Sequence, residues 1–221
     1  MPFADRRDAG RRLAKALERY RAERPVILAL PRGGVPVAAE IAEALSAPLD
    51  LVLVRKIGLP GQPELAMGAV VDGPAPLTVR NEDVIRLTQT SEAAFDAVRD
   101  RELAEIARRR RRYLGDRPHP GLAGRVAIVV DDGIATGATT RAALRSVRQF
   151  GPARLVLAVP VAPTTTLAEL RDEADDIVCL EDHEPFGAIG AFYGDFSQVG
   201  DDEVTRILAR VPAESQPPPT A

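Results

Sequence analysis

The stretch VAIVVDDGIATGATTRAAL, from Val126 to Leu144, constrains the chain more than any other. Its five leading apolar residues show no polar alternation, so they read as a strand covered on both faces. Asp131 and Asp132 stand where that strand must end. Gly133 and Gly137 then permit tight turning, Thr136, Thr139 and Thr140 bring hydroxyls, and a helical pattern follows at once. A strand that passes through a glycine loop into a helix presents the unsatisfied N–H groups of the first turn to an anion. The helix dipole adds only about 0.3–1 kcal/mol. Affinity for a phosphate therefore rests on several N–H and hydroxyl donors acting together. The two acids would repel a phosphate alone, but an ionised carboxylate accepts hydrogen bonds. The pair suits a ligand with vicinal hydroxyls beside its phosphate, as in a phosphorylated sugar. Helix capping accounts for one such residue, not for two acids, two glycines and three threonines together. The spacing fits neither GxxxxGK[ST] nor GxGxxG.

The same grammar recurs along the chain. Apolar runs at Pro25–Leu30, Leu49–Val54, Leu155–Val161 and Ile177–Leu180 alternate with helical patterns at Asp5–Arg21, Val37–Leu45, Thr165–Glu173 and Asp202–Arg210. This order predicts an α/β fold: a doubly wound, mainly parallel sheet flanked by helices, with ligands beyond the carboxyl ends of the strands. One domain is expected over residues 1–212. Within it, the Gly/Pro-rich stretch at about 57–83 reads as a flexible flap, 91–114 as a long polar helix and 181–200 as a small C-terminal hood. The Pro-rich residues 213–221 read as a disordered tail.

Basic and acidic residues nearly cancel, 29 against 32, which argues against a nucleic-acid backbone as partner. The five arginines Arg108–Arg112 do not change this, because consecutive helical residues point all round the axis. They read as a solvated helix end or a dimer contact, with Glu105 in reach of Arg108 and Arg109. The single cysteine, Cys179, lies in an apolar run and reads as an inert core thiol. His119 and His183 lack ligand-spaced partners, so no metal site built from protein groups alone is expected. A charged start and the lack of a membrane-length apolar run predict a cytoplasmic protein with no membrane partner.

Two further clusters carry charge at strand ends. In Leu30-Pro31-Arg32-Gly33-Gly34, glycines beside an arginine let backbone N–H groups and a guanidinium meet one anion, although the same residues also suit an ordinary turn. Arg55 and Lys56 place two cations ahead of the Gly/Pro-rich stretch. Phe186, Phe192 and Tyr193 bring three of the chain's nine aromatics together in sequence; they either form a small core under the final helix or offer a face to a flat ring.

VVDDGIATGAT resembles the 5-phosphoribosyl-1-pyrophosphate (PRPP) binding motif of type I phosphoribosyltransferases. The resemblance runs from about Pro25 to Val199 and looks closest to a bacterial group of such proteins whose acceptor is unnamed. It implies that Asp131 and Asp132 hold the ribose hydroxyls, and that Gly133, Ala135, Thr136, Gly137, Ala138 and Thr139 wrap the 5′-phosphate. It further implies that Arg32, Gly33 and Gly34 bind pyrophosphate, in a loop that in this family often holds a non-proline cis peptide. Arg55 and Lys56 would join them while the following flap closes. Mg²⁺ is implied, held mainly by PRPP, and so is a homodimer. Acceptor recognition is implied near the C-terminal end, with Phe186, Phe192, Tyr193 and Asp195 as candidates; Glu64 and Asp72 are candidate acid–base groups. Ala135 stands where enzymes acting on 6-oxopurines carry an aspartate, which disfavours hypoxanthine and guanine. The implied reaction moves phosphoribosyl from PRPP to a nitrogen acceptor, with a nucleobase as the expected kind, and releases pyrophosphate. A PRPP or nucleotide sensor without catalysis, or a hydrolase of a phosphorylated sugar, is the alternative.

Overall fold

A computed structural model describes residues 2–73 and 76–211. Its main sheet has five strands: β1 (Val26–Ala29), β2 (Leu49–Leu51), β6 (Val126–Val130), β7 (Arg154–Pro163) and β8 (Asp176–His183). They lie in the order β2-β1-β6-β7-β8, and every pairing is parallel. The apolar runs are unbroken because both faces are covered. In β1, Val26 and Leu28 enter one core cluster while Ile27 and Ala29 enter the other. In β6, Ala127 and Val129 face the first and Val126, Ile128 and Val130 the second. Helices α5 (Ala138–Gln149) and α6 (Thr164–Leu170) pack on the first face. The second face takes α1 (Arg6–Leu17), α2 (Gly34–Leu45), α4 (Glu92–Leu114) and α7 (Asp201–Arg210). The expected doubly wound α/β architecture is thus present. The tail expected at 213–221 lies outside the described residues.

The second sheet departs from the sequence reading. The apolar run from Leu49 to Val54 is not one strand: β2 stops at Leu51, and β3 (Val54–Leu59) opens an antiparallel sheet with β4 (Gln62–Val71) and β5 (Leu77–Arg80). Only the base of this sheet is well buried, through Ile57, Met67 and Val70, which pack with Phe95 and Val98 of α4. Its tip, from Gly58 to Pro63, holds two glycines and two prolines, and these leave only weak strand signals, around Met67–Val71 and Leu77–Val79. A short helix, α3 (Glu82–Leu87), follows β5. Ser91 caps α4 by accepting from Ala94 N at 3.2 Å, an arrangement worth about 1 kcal/mol to a helix.

Within the run Arg108–Arg112 of α4, four arginines act as separate braces. Arg108 and Arg109 each reach Glu105 at 2.7 Å. Arg112 bonds Asp201 at 2.6 Å and so ties α4 to the start of α7. Arg110 is not solvated: it reaches under the sheet edge to Asp50 and Asp72, both at 3.2 Å. No described helix is long and apolar enough to cross a membrane.

Candidate active site

Two loops meet at the carboxyl ends of β1 and β6. After β6 the chain passes Asp131 and Asp132, and Ile134 N donates to Val161 O at 3.0 Å, which anchors the loop to β7. Thr166 of α6 donates through its hydroxyl to Ala135 O at 2.9 Å. Gly137 then adopts φ +72°, a left-handed value that glycine reaches without steric cost, and α5 starts at Ala138. Ala135, Thr136, Ala138 and Thr139 are exposed. One side of the loop is thus bolted to the fold while the other offers N–H and hydroxyl donors to solvent, as a phosphate cradle requires.

The β1 loop begins with Leu30 N donating to Val130 O at 2.9 Å. The Pro31–Arg32 peptide is cis, and α2 starts two residues later. Gly33 and Gly34 lie directly on the acids. A Cβ at Gly33 would fall inside the Asp132 carboxylate, and one at Gly34 would come within 2.7 Å of Val130 O and 3.0 Å of the Asp131 Cα. The two loops therefore form a single surface. Arg32 extends from it half-exposed, 3.7 Å from Asp201, a residue that also accepts from the Tyr113 hydroxyl at 2.6 Å.

Asp131 accepts from Asp132 N at 2.9 Å. Burial first, and then the neighbouring charge of Asp132, push the Asp131 carboxyl well above the usual carboxylate range. Asp132 has a cationic partner in Arg6, whose Nε donates to Oδ2 at 2.7 Å. Arg6 was not anticipated. It sits in an arginine-rich start that resembles any solvated helix, and only tertiary structure brings it here. The N-terminal residues pair with the hood: Phe3 N donates to Phe192 O at 2.8 Å and Gly194 N to Phe3 O at 2.7 Å. The guanidinium of Arg6 covers the Phe196 ring at 3.9 Å.

The remaining candidates are placed less centrally. Tyr193 is buried and its hydroxyl donates to Asp132 O at 2.5 Å; it braces the loop from behind and has no exposed face for stacking. Phe186 and Phe192 stack on each other at 5.2 Å, beside the Phe3–Tyr193 cluster. Asp195 is exposed and bonds Ser197 through the latter's N–H and hydroxyl. Arg55 is held by Glu102 of α4 at 2.7 Å and Lys56 by Glu64 at 3.1 Å. These four line a cavity of about 350 Å³ between the β3–β4 hairpin and α4, and none is bonded to either loop.

Asp72 is not with the loops at all. It faces a cavity of about 260 Å³ shared with Asp50, His119 and the C-terminal half of α5, whereas the phosphate cradle is at the other end of that helix. Its Oδ1 accepts from Leu53 N at 2.6 Å, closing the base of the small sheet. Burial raises its carboxyl to about 6, against the lowering effects of the Leu53 N–H and Arg110. One guanidinium between two buried carboxylates offsets only one charge. Because the folded value lies above the unfolded 3.8, the stabilising effect is full below pH 3.8 and fades as pH rises through 6. Asp72→Asn is expected to remove this dependence. The stability of the native protein relative to the variant should fall by about 2 kcal/mol between pH 4 and 7.5, measured by urea melts across that range. A pH-independent difference would contradict it.

Fold and loops together define a doubly wound α/β protein with an anion-suited surface at the ends of its first and central strands. The chain belongs to the phosphoribosyl transferase domain family, which matches residues 5–193. Sequences from two Mycobacterium tuberculosis strains, each named a phosphoribosyl transferase as an unproven assignment, are 48% identical over 208 residues, or 94% of this chain. This chain spans only 46% of their length. The crystal structure of TT1426 from Thermus thermophilus is 43% identical with a TM-score of 0.81, covering 96% of this chain and 99% of that one. A hypothetical protein from Neisseria gonorrhoeae with bound ppGpp, 14% identical at a TM-score of 0.50 and covering 95% and 94% of the two chains, shares the fold alone.

Proposed function

We propose that the protein transfers the 5-phosphoribosyl group of PRPP to a nitrogen acceptor and releases pyrophosphate. The observation that carries this reading is the contact of Gly33 and Gly34 with Asp131 and Asp132. It joins the acids suited to the ribose diol, the 5′-phosphate cradle at Ala135–Thr139 and the donors suited to pyrophosphate at Arg32–Gly34 in one surface. In the reaction the C1′–oxygen bond breaks with its electron pair on pyrophosphate, the acceptor nitrogen forms the new bond to C1′, and its proton leaves. Asp131 and Asp132 orient the ribose so that both bonds lie in line. Arg32 and the loop N–H groups stabilise the leaving charge by fixed electrostatics. Arg55 and Lys56 reach pyrophosphate only by leaving Glu102 and Glu64, a rearrangement that suits a sheet packed tightly only at its base.

The carboxylate oxygens beside the diol position fit a hard cation such as Mg²⁺. Among the described residues no group of three or more acidic, His or Cys side chains could hold one, so PRPP oxygens would supply most ligands. When bound, Mg²⁺ neutralises charge on the leaving group.

Incubation with PRPP, Mg²⁺ and a panel of nucleobases tests the reading through pyrophosphate release. Acceptor-dependent release is expected. Acceptor-independent release points to a hydrolase, and tight PRPP binding with no release to a sensor.

A further inference from the structure

We infer that Arg6 selects the acceptor, and that the acceptor is a nitrogen heterocycle with a carbonyl or carboxylate oxygen beside the reacting nitrogen. This rests on the transferase reading above. Three contacts fix the guanidinium: Nε donates to Asp132 at 2.7 Å, Nη1 donates to Ser197 O at 2.8 Å, and the group lies 3.9 Å over Phe196. Its side chain is only 11% exposed. Among the described residues Nη2 has no hydrogen-bond partner, and Nη1 has one N–H to spare. A rigid planar fork so held aims its free donors in one direction.

Place follows from connectivity. The acceptor nitrogen attaches at C1′, which is bonded to the carbon bearing the 2′-hydroxyl. A group touching a carboxylate that holds the ribose diol is therefore next to the reacting centre. The pyrophosphate loop reaches Asp132 through Gly33, whereas the other partners of Arg6 are Phe196 and Ser197 of the hood. Arg6 thus occupies the acceptor side of Asp132.

Chemistry follows from the donor count. A guanidinium has five donors and no acceptor, so it pairs more strongly with an oxygen that takes up negative charge beside the reacting nitrogen than with the neutral ring nitrogen adenine presents there. When an N–H flanked by a carbonyl loses its proton to solvent water, the negative charge is shared with that oxygen, where the guanidinium stabilises it. The nitrogen pair then closes on C1′ while the C1′–oxygen pair leaves with pyrophosphate.

The test compares pyrophosphate release by the full chain with uracil, orotate (a carboxylated dioxopyrimidine) and adenine, for the native protein, Arg6→Lys and Arg6→Gln. The native protein is expected to favour the better oxygen-bearing acceptor over adenine at least tenfold in kcat/KM. Arg6→Gln should erase that ratio by about tenfold to a hundredfold, the range of a charge-assisted hydrogen bond, and Arg6→Lys should retain part of it. A purely structural role would lower all three acceptors in proportion and would overturn the inference, as would adenine being preferred. If none turns over, the transferase reading fails separately. PRPP-loaded protein is then titrated calorimetrically with the same three bases, and equal affinities or no binding would overturn the selection by Arg6.

Discussion

Gly33→Ala is expected to lower kcat/KM for PRPP by about a hundredfold or more while the protein stays folded. The two effects separate because of what the new Cβ meets. At Gly33 it falls inside the Asp132 carboxylate, the far end of a side chain that can swing aside. Folding therefore survives, at the cost of the Arg6 ion pair. The displaced carboxylate no longer faces the diol, and each lost hydrogen bond to a charged group is worth about 1.5–3 kcal/mol. Gly34→Ala is the control. Its Cβ meets Val130 O at 2.7 Å and the Asp131 Cα at 3.0 Å, which are backbone atoms that cannot yield, so stability should fall as well. PRPP-dependent pyrophosphate release beside thermal melts of both variants gives the comparison. A Gly33→Ala protein with native kinetics would separate the β1 loop from the Asp132 site.

The uniform apolar runs at Val26–Ala29 and Val126–Val130 announce buried parallel strands because a strand covered on both faces has no place for polar groups. The acids, glycines and threonines that follow Val130 announce the cradle for the same kind of reason: local spacing suffices for a strand, a turn and a helix start. The small sheet shows in the sequence only as weak strand signals around Met67–Val71 and Leu77–Val79, because its tip is exposed and its glycines and prolines obey the hairpin rather than the core. Asp72 looked like a flap acid, and only the docking of α4 against the sheet edge buries it beside Arg110 and Asp50. Tyr193 looked like a stacking ring, yet its hydroxyl is consumed by Asp132 O, 61 residues away in sequence. Arg6 shows the limit most clearly. Nothing near it in sequence marks it, since its partners Asp132, Phe196 and Ser197 arrive from distant parts of the chain. Periodicity and spacing encode local geometry, while side-chain pairing across the fold is set by how the layers close.

Asp131→Asn is expected to abolish most phosphoribosyl transfer and yet to make the protein more stable at neutral pH. Burial and the charge of Asp132 raise the Asp131 carboxyl well above its ordinary value. A raised folded pKa means that this group's contribution to stability is complete below the unfolded value and is lost as pH rises through the folded one. Once ionised, Asp131 is therefore a destabilising charge, which the neutral amide of nearly the same shape relieves. The urea midpoint should rise, and rise further as pH is increased. Function runs the other way. An ionised carboxylate accepts two hydroxyl hydrogen bonds, whereas the amide offers one oxygen and two unwanted donors. A loss of about 100- to 1000-fold in kcat/KM for PRPP follows. The pH profile links the two effects: native kcat/KM should climb with pH as Asp131 ionises, and the variant should lose that limb. Asp132→Asn leaves the Arg6 guanidinium without its charged partner, so there activity and stability should fall together. An Asp131→Asn protein that loses stability at pH 7.5, or keeps the native pH limb, would show that the cost of holding Asp131 charged is not borne at this site.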